Sequence, residues 1–225
     1  MHFTPNLTRT EWKQGFIALA LSLVVLPGLL GLLPDTVSAG QRNIVYYGLN
    51  FAMAVFVFRG FLNRNLKTAI AHPFYTIYYA LLGYLAHMAL GELVAIAIYM
   101  LRPGFLNAND QSILTQLGSE RGVFAAAIIL LVPVAEECFF RGLLFRGVHD
   151  RSPVLAWVLS AGLFAAVHVA GYVGSYDPLS LVLAFLQYLP AGIALCVSYQ
   201  RGGSILSPIL THMIVNFVAV YHVLR

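Results

Sequence analysis

Long apolar stretches follow one another along almost the whole chain, and they restrict what it can fold into. An apolar run of about 20 residues is long enough to cross a bilayer as a helix. Only 10% of the 225 residues are charged, against about 25% in a soluble domain. The qualifying stretches are 15–33, 44–62, 73–101, 122–145, 153–173, 178–199 and 205–224. We therefore expect an all-α, polytopic membrane helix bundle of about seven to eight spans, with residues 1–225 forming a single membrane domain.

Two segments leave the number and continuity of the spans open. The third stretch is long and contains Gly91, so we expect it to tilt or break near that residue. The connection between the third and fourth stretches is polar, except for a short apolar piece at 113–117. This piece is the candidate for an eighth segment, either re-entrant or interfacial.

The basic residues predict the orientation of the bundle. Lys and Arg cluster in short loops rather than in a stripe, which argues against nucleic-acid binding. Loops on the cytoplasmic side of membrane proteins are rich in Lys and Arg. A cytoplasmic N-terminus places eight basic residues inside and four outside: Arg9, Lys13, Arg59, Arg64, Lys67, Arg146, Arg151 and Arg201 against Arg42, Arg102, Arg121 and Arg225. We expect an integral protein of the cell (plasma) membrane with its N-terminus in the cytoplasm.

Three short motifs place ionisable or strongly polar side chains inside apolar stretches. The motifs are Glu136-Glu137-Cys138-Phe139-Phe140-Arg141, Phe164-Ala165-Ala166-Val167-His168 and His212-Met213-Ile214-Val215-Asn216. A charged group in a bilayer is costly, so such residues usually face a protein interior or a water-filled cavity and have a function there. We expect the three motifs to converge on a central polar cavity.

The spacing within the first motif suits two different roles for its carboxylates. Glu137 and Arg141 are four residues apart, which places them on one helix face in the order that favours an ion pair. Glu136 points about 100° away on the helical wheel, so it is freer to face a substrate. Burial and a nearby arginine shift a carboxyl pKa in opposite directions, and that balance can set a general base.

The other two motifs supply partners for such a base. The imidazole of His212 and the amide of Asn216 share a helix face and can donate two hydrogen bonds to one oxyanion. His168, on the same face as Phe164, can help Glu136 to orient and deprotonate water. Counted from the cytoplasmic side, these residues lie at overlapping depths of roughly 12 to 22 Å at 1.5 Å per residue. We therefore expect a shared cavity near the midplane that opens to the cytoplasm.

At these motifs the chain resembles the CPBP family of intramembrane endopeptidases, which includes the CAAX prenyl proteases and bacterial proteins of bacteriocin processing and self-immunity. The family pattern is Glu-Glu-x-x-x-Arg, then Phe-x-x-x-His, then His-x-x-x-Asn or Asp, and the chain matches it over about 123–218. The resemblance implies that Glu136 and His168 activate water, and that His212 and Asn216 form an oxyanion hole. It also implies a conical cavity that is open to the cytoplasm.

A metal centre is the alternative reading of the same side chains. Glu136, His168 and His212 include the ligand types that zinc prefers. A His-Glu-x-x-His motif is absent from the sequence, so the metal-free mechanism without a cofactor is the preferred hypothesis.

Other functions fit the motifs less well. The expected partners are a peptide or protein substrate at the membrane and the bilayer itself. The main alternative is a non-enzymatic immunity or scaffold protein of the same fold. A proton- or ion-coupled carrier is a third hypothesis, because buried Glu and His also form relays. Cys138 is a minor candidate nucleophile, although buried free cysteines usually only pack.

Overall fold

The computed structural model describes residues 7–119 and 121–225, and within these ranges the chain is helical, with no β-strand. The helices are α1 Arg9–Gly31, α2 Ala39–Val57, α3 Arg59–Ala71, α4 Pro73–Leu101, α5 Ala108–Ser119, α6 Arg121–His149, α7 Pro153–Ala170, α8 Pro178–Gly202 and α9 Leu206–Leu224.

Six of the described helices are long and apolar enough to cross a membrane. A seventh span results if α2 and α3, which meet at an angle of 80°, are counted as one broken span. The upper count agrees with the seven apolar stretches of the sequence. The predicted all-α membrane bundle is confirmed, and the chain is an integral membrane protein.

The predicted second span, 44–62, is wrong in its continuity, because the helix breaks at Phe58. The backbone of Phe58 leaves helical geometry (φ −98°, ψ 15°), while its side chain stays fully buried. The Glu11 carboxylate caps the new helix, since it accepts hydrogen bonds from the Phe61 N–H and from Arg64, both at 2.7 Å. A Cβ at position 60 would lie 2.6 Å from the Glu11 Oε1 atom. Gly60 therefore permits the close approach that holds α1 against α3.

The two segments whose form the sequence left open, 73–101 and 113–117, are both helical. Helix α4 runs without a break through Gly91, so of the two expectations the break is wrong, and the tilt stays a prediction. The short apolar piece at 113–117 lies in α5, a helix too short to span a bilayer. It therefore adds a helix across one end of the bundle and no further span.

Local signals start several of these helices. The side chains of Thr8 and Ser38 accept from the third backbone N–H of α1 and α2, as N-caps do. Ser152 and Asp177 cap α7 and α8 in the same way, and a proline follows each of them at the first helical position.

Contacts between loops define the two ends of the bundle. At the N-terminal end, the Ile205 N–H donates to the Asn65 side chain at 2.8 Å, which joins α3 to the α8–α9 turn. At the opposite end, which we call the α5 end, Arg102 pairs with Asp177 at 3.0 Å. Asn43 donates to the Gln116 amide oxygen at 2.7 Å at this same end, which ties α5 to α2.

Large apolar and aromatic side chains fill the N-terminal end. Its buried cluster contains residues that are at most 3% exposed: Phe58, Phe61, Phe139, Phe145, Tyr199 and Ile205. Since protein interiors are packed to the density of organic crystals, this cluster closes that end of the bundle.

Candidate active site

Helix α6 carries the first motif, and its backbone departs from α-helical geometry on both sides of the two glutamates. Residues Ala127–Leu131 and Cys138–Arg146 are π-helical, a form that occurs frequently at functional sites. In the first of these segments the Val132 N–H bonds to the Ala127 carbonyl, five residues back. The next donor in this pattern would be Pro133, which has no N–H. The Ile128 carbonyl therefore lacks its helical donor.

Asn216 of α9 supplies that missing donor. Its Nδ2 atom donates to the Ile128 carbonyl oxygen at 2.9 Å. The amide has two N–H groups, so one remains for a ligand in the cavity. The π-helical turn thus fixes the orientation of Asn216, a contact that the sequence motifs alone do not reveal.

A fully buried charge cluster lies directly behind the cavity wall. Glu137 and Arg141 are both fully buried, and their side chains pair at 3.1 Å, which confirms the predicted ion pair. The other end of the guanidinium donates to the Gly192 carbonyl at 3.1 Å. Glu137 Oε1 also lies 2.8 Å from Nδ1 of His212. One carboxylate therefore ties the arginine of α6 to the histidine of α9.

These contacts determine which ring nitrogens carry protons. The Phe164 carbonyl lies 2.7 Å from His168 Nδ1 and can only accept, so Nδ1 carries the proton. His212 Nδ1 donates in the same way to Glu137. In the neutral form of each ring, Nε2 then has a lone pair.

Glu136 faces the cavity rather than the ion pair. Its Oε2 atom lies 4.0 Å from His212 Nε2, too far for a direct hydrogen bond but within reach through one water molecule. Among the described residues, this buried oxygen has no hydrogen-bond partner. The arrangement presents a carboxylate acceptor next to an imidazole.

The ring of Phe164 separates the two histidines and covers the arginine. Its centroid lies 4.6 Å from that of His168 and 5.8 Å from that of His212. The Arg141 guanidinium carbon stands 4.5 Å from the same ring, close enough for a cation–π contact. Phe164 thus screens the guanidinium from the cavity and holds both imidazoles apart.

A cavity of about 880 Å³ brings the predicted catalytic residues together. Glu136, His168, His212 and Asn216 all line it, and so does Phe164. Glu137 and Arg141 lie behind its wall. The chemical roles of these residues stay predictions.

The cavity reaches the α5 end of the bundle and not the N-terminal end. Pro27, Gly171 and Val223, all near the α5 end, are among its lining residues, as are residues along one face of α5. The aromatic cluster closes the other end. The cavity lining therefore extends away from the end that carries the N-terminus. The orientation of the cavity relative to the cytoplasm stays a prediction.

Residues of α5 and α8 that the sequence analysis missed complete the wall. Tyr188 stacks on His168 with ring centroids 4.4 Å apart. The Tyr188 hydroxyl donates to Asp110 at 2.6 Å and accepts from Asn109 at 2.8 Å. Burial raises the pKa of the Asp110 carboxyl, while the Tyr188 hydrogen bond lowers it in part. The only sequence signal was a polar Asn-Asp pair at the start of a short apolar segment.

His87 of α4 is a further missed residue. A lone histidine in an apolar span usually only packs, but this one lines the cavity. Its Nδ1 atom is buried, and no partner for it exists among the described residues. A lone histidine in an apolar span gives no sequence signal that separates these two roles.

Two further ionisable side chains of apolar spans, Glu92 and Cys138, are not part of the cavity lining. Glu92 is exposed on the outer face of α4 and does not line the cavity. Cys138 is fully buried in the aromatic cluster, away from the cavity lining. Over residues 7–119 and 121–225, no group of three or more His, Cys, Asp or Glu side chains is arranged to hold a metal ion. Whether the site uses a metal ion stays a prediction.

The comparison with known families agrees with the motifs. Residues 118–218 match the family model described as "Type II CAAX prenyl endopeptidase Rce1-like". This range contains every residue of the three motifs. Comparison with curated proteins and with solved structures found no significant match. Residues 118–218, which contain all three motifs, therefore match the family of CAAX-type membrane proteases that the motifs resemble.

Proposed function

We propose that the chain is an intramembrane endopeptidase in which Glu136 activates a water molecule for attack on a peptide bond. The observation that carries the proposal is the buried Glu136 Oε2 atom, which lacks a partner among the described residues and lies 4.0 Å from His212 Nε2 at the cavity wall. A carboxylate in this position is a proton acceptor that a bound water can reach.

The proposed reaction begins with proton transfer from water to Glu136. The water oxygen then forms a bond to the peptide carbonyl carbon, and the carbonyl oxygen becomes an oxyanion. His168 Nε2, which has a lone pair in the neutral ring, accepts a hydrogen bond from the same water and orients it. As the C–N bond breaks, Glu136 returns the proton to the leaving nitrogen, so protons and electrons balance.

Asn216 and His212 are the proposed oxyanion donors. Asn216 has one N–H left after its bond to the Ile128 carbonyl. His212 can donate from Nε2 only as an imidazolium, because Nδ1–H is bound to Glu137. The Glu137 carboxylate, 2.8 Å away, stabilises that charged form. Preorganised donors of this kind are usually a large part of catalysis.

The direct test is the Glu136→Gln variant, compared with Glu92→Gln. Both remove one carboxylate from an apolar span, but only Glu136 lines the cavity. Purified protein in proteoliposomes is assayed with a library of quenched fluorescent peptides. We expect Glu136→Gln to lose about 10²–10⁴-fold in rate, the usual contribution of a general base, while Glu92→Gln keeps its activity. Normal cleavage by folded Glu136→Gln protein would refute the proposal.

Zinc is the alternative activator, and it is tested separately. We propose a metal-free mechanism, since the described side chains are not gathered as a metal site. Cleavage should then persist after dialysis against a zinc chelator. Loss of cleavage that added zinc restores would favour the alternative.

A non-enzymatic immunity or scaffold role is the second candidate, because a cavity of about 880 Å³ can also hold a peptide without cutting it. Alanine at Glu136, His168 and His212 separates the two roles. Protection or complex formation that survives all three substitutions would favour the binding role. If protection and complex formation are lost together with cleavage, the peptidase is favoured.

A further inference from the structure

Three residues that line the cavity each have a buried polar atom without a hydrogen-bond partner among the described residues. These atoms are Oε2 of Glu136, Nδ1 of His87 and Oδ1 of Asn50, and they come from three different helices. Unpartnered buried polar atoms are uncommon, and each one calls for an explanation. The Glu136 atom is already assigned to a water molecule. The ring nitrogen of His87 is a donor or an acceptor according to its tautomer, whereas the Asn50 oxygen can only accept.

The bond that Asn50 makes within α2 fixes which part of its amide is left over. Its Nδ2 atom donates to the Tyr46 carbonyl oxygen, four residues back, at 2.9 Å. A carbonyl oxygen can only accept, so the amino group faces it and the remaining atom is the Oδ1 acceptor. The Tyr46 hydroxyl does not serve this acceptor, because it donates to the Ser22 carbonyl at 3.3 Å. Asn50 is only 5% exposed, so it presents a fixed acceptor in the cavity wall.

Asn65 of α3 shows what such an acceptor binds when a partner is present. Its Nδ2 atom donates to the Phe61 carbonyl at 2.9 Å, again four residues back. Its Oδ1 atom accepts the backbone N–H of Ile205, which comes from a distant segment, at 2.8 Å. Asn50 has the same local arrangement but lies on the cavity, where Asn65 is not among the lining residues. A backbone N–H that enters the cavity would complete Asn50 in the same way.

A peptide substrate brings such donors into the cavity. Each of its non-proline residues has a backbone N–H, and an extended segment cannot satisfy these groups internally. In the interior of a membrane, each of them needs an acceptor from the protein. The proposed oxyanion donors, His212 and Asn216, serve a substrate carbonyl and leave the N–H groups to be satisfied elsewhere. Asn50 supplies the complementary acceptor.

Two ring contacts locate Asn50 relative to the proposed general base along the bundle. Tyr47 of α2 contacts Phe124 of α6 with ring centroids 5.9 Å apart. Further along both helices, Phe58 contacts Phe139 at 5.8 Å, so the helices run in the same direction. By the rise of a helix, these contacts place Asn50 roughly 7 to 14 Å from the base along the axis, towards the α5 end. An extended peptide covers that distance in roughly two to four residues.

We propose that Asn50 is a substrate-binding residue, which accepts the main-chain N–H of a residue roughly two to four positions from the scissile bond. The substrate is then held as an extended peptide and recognised through its backbone, independently of the side chain at that position. The distance to the scissile bond rests on the proposed function, whereas the hydrogen bond itself does not require cleavage.

Backbone esters test this hydrogen bond directly. An ester replaces one N–H of a peptide by oxygen, which removes the donor and adds almost no bulk. The probe is a dye-labelled copy of the library peptide that binds most tightly to purified Glu136→Gln protein, and its affinity is measured by fluorescence anisotropy. An ester scan should identify one N–H whose loss lowers the affinity by about tenfold, the value of one good hydrogen bond.

The Asn50→Leu substitution identifies the acceptor. Made in the Glu136→Gln protein, it should weaken binding of the all-amide peptide by about tenfold and cancel the effect of the ester at that position. It removes an acceptor without a partner, so the melting temperature should stay close to that of the parent protein. Asn50→Ala repeats the test if the leucine variant does not fold.

The matched control is Asn65→Leu, which removes the acceptor of the Ile205 N–H. This variant should melt at a lower temperature and still show the full ester effect, because Asn65 does not line the cavity. The two asparagines therefore separate a structural amide from one that binds the peptide.

Each remaining outcome counts for or against the inference. An ester effect that keeps its full size in the Asn50 variants would overturn it, and so would a peptide that no ester weakens or a library from which no peptide binds. With native protein, a sensitive N–H outside the expected distance from the cleaved bond would overturn the placement. Binding that depends on Asn50 without any cleavage would refute only the proposed function. Cleavage without an ester effect that depends on Asn50 would refute only this inference.

Discussion

Replacing Arg141 by methionine should strongly lower the free energy of unfolding, because Arg141 is one half of a fully buried ion pair. The substitution leaves the Glu137 carboxylate fully buried without its arginine and removes the bond to the Gly192 carbonyl. Breaking a buried ion pair by removing one partner costs about 3–5 kcal/mol. The companion Glu137→Gln substitution leaves the Arg141 guanidinium buried without its carboxylate partner. The resulting loss in the free energy of unfolding should be of the same order.

The double variant, with Arg141→Met and Glu137→Gln, separates the cost of an unpaired buried charge from the cost of lost packing. With both charges gone, no uncompensated ion remains between α6 and α8. The free energy of unfolding should therefore fall by less than the two single losses together, with a coupling on the order of 2 kcal/mol. The assay is reversible unfolding in mixed detergent micelles, followed by circular dichroism.

A matched control uses a pair at the surface. Arg102→Met removes one partner of the exposed Arg102–Asp177 pair, whose side chains are 40% and 50% exposed, and should change stability much less. The reasoning fails if Arg141→Met costs less than about 1 kcal/mol, or if the two single losses simply add.

Three further predictions concern packing, the cavity wall and pH. Gly192→Ala should destabilise by about 1–3 kcal/mol in the same unfolding assay, because its Cβ would lie 2.9 Å from the backbone of α7; an unchanged stability would contradict that contact. Tyr188→Phe keeps the ring stacked on His168 and should retain most of the cleavage rate, whereas Tyr188→Leu should lower kcat more than it raises KM; equal rates would remove Tyr188 as a positioning residue. Hydrogen bonds from the Ser180 hydroxyl and from Arg102 hold the pKa of Asp177 below its usual value, so its stabilising contribution is present above about pH 4 and is lost as the pH falls further. Melting temperatures of the native chain and of Asp177→Asn should then converge in acid, and a constant difference between them would refute this.

The sequence predicted the membrane spans well, because a bilayer imposes length and apolarity on every spanning helix. It also predicted the Glu137–Arg141 pair, since both residues lie on one helix at a spacing that fixes their contact. The break at Phe58 was missed, because its cause is a capping carboxylate from α1, far away in sequence. Contacts of this kind depend on tertiary packing.

The site shows the same division between local and tertiary information. The motifs identified Glu136, His168 and His212, and the structure places all of them on one cavity. The bond between His212 and Glu137 joins residues 75 positions apart, so no local pattern reveals it. The end of the bundle toward which the cavity extends was also hidden, because it depends on which end the aromatic side chains fill.

The π-helical turn before Glu136 makes the length of α6 as important as its composition. Such a turn holds one more residue than an α-helical turn does, so the helix on either side keeps its register. Removing a single residue from Ala127–Leu131 would restore regular geometry and take away the free Ile128 carbonyl that accepts the Asn216 hydrogen bond, although every motif letter would remain. A relative of this protein with a one-residue deletion at this place would keep the family signature and lose the contact that orients its asparagine.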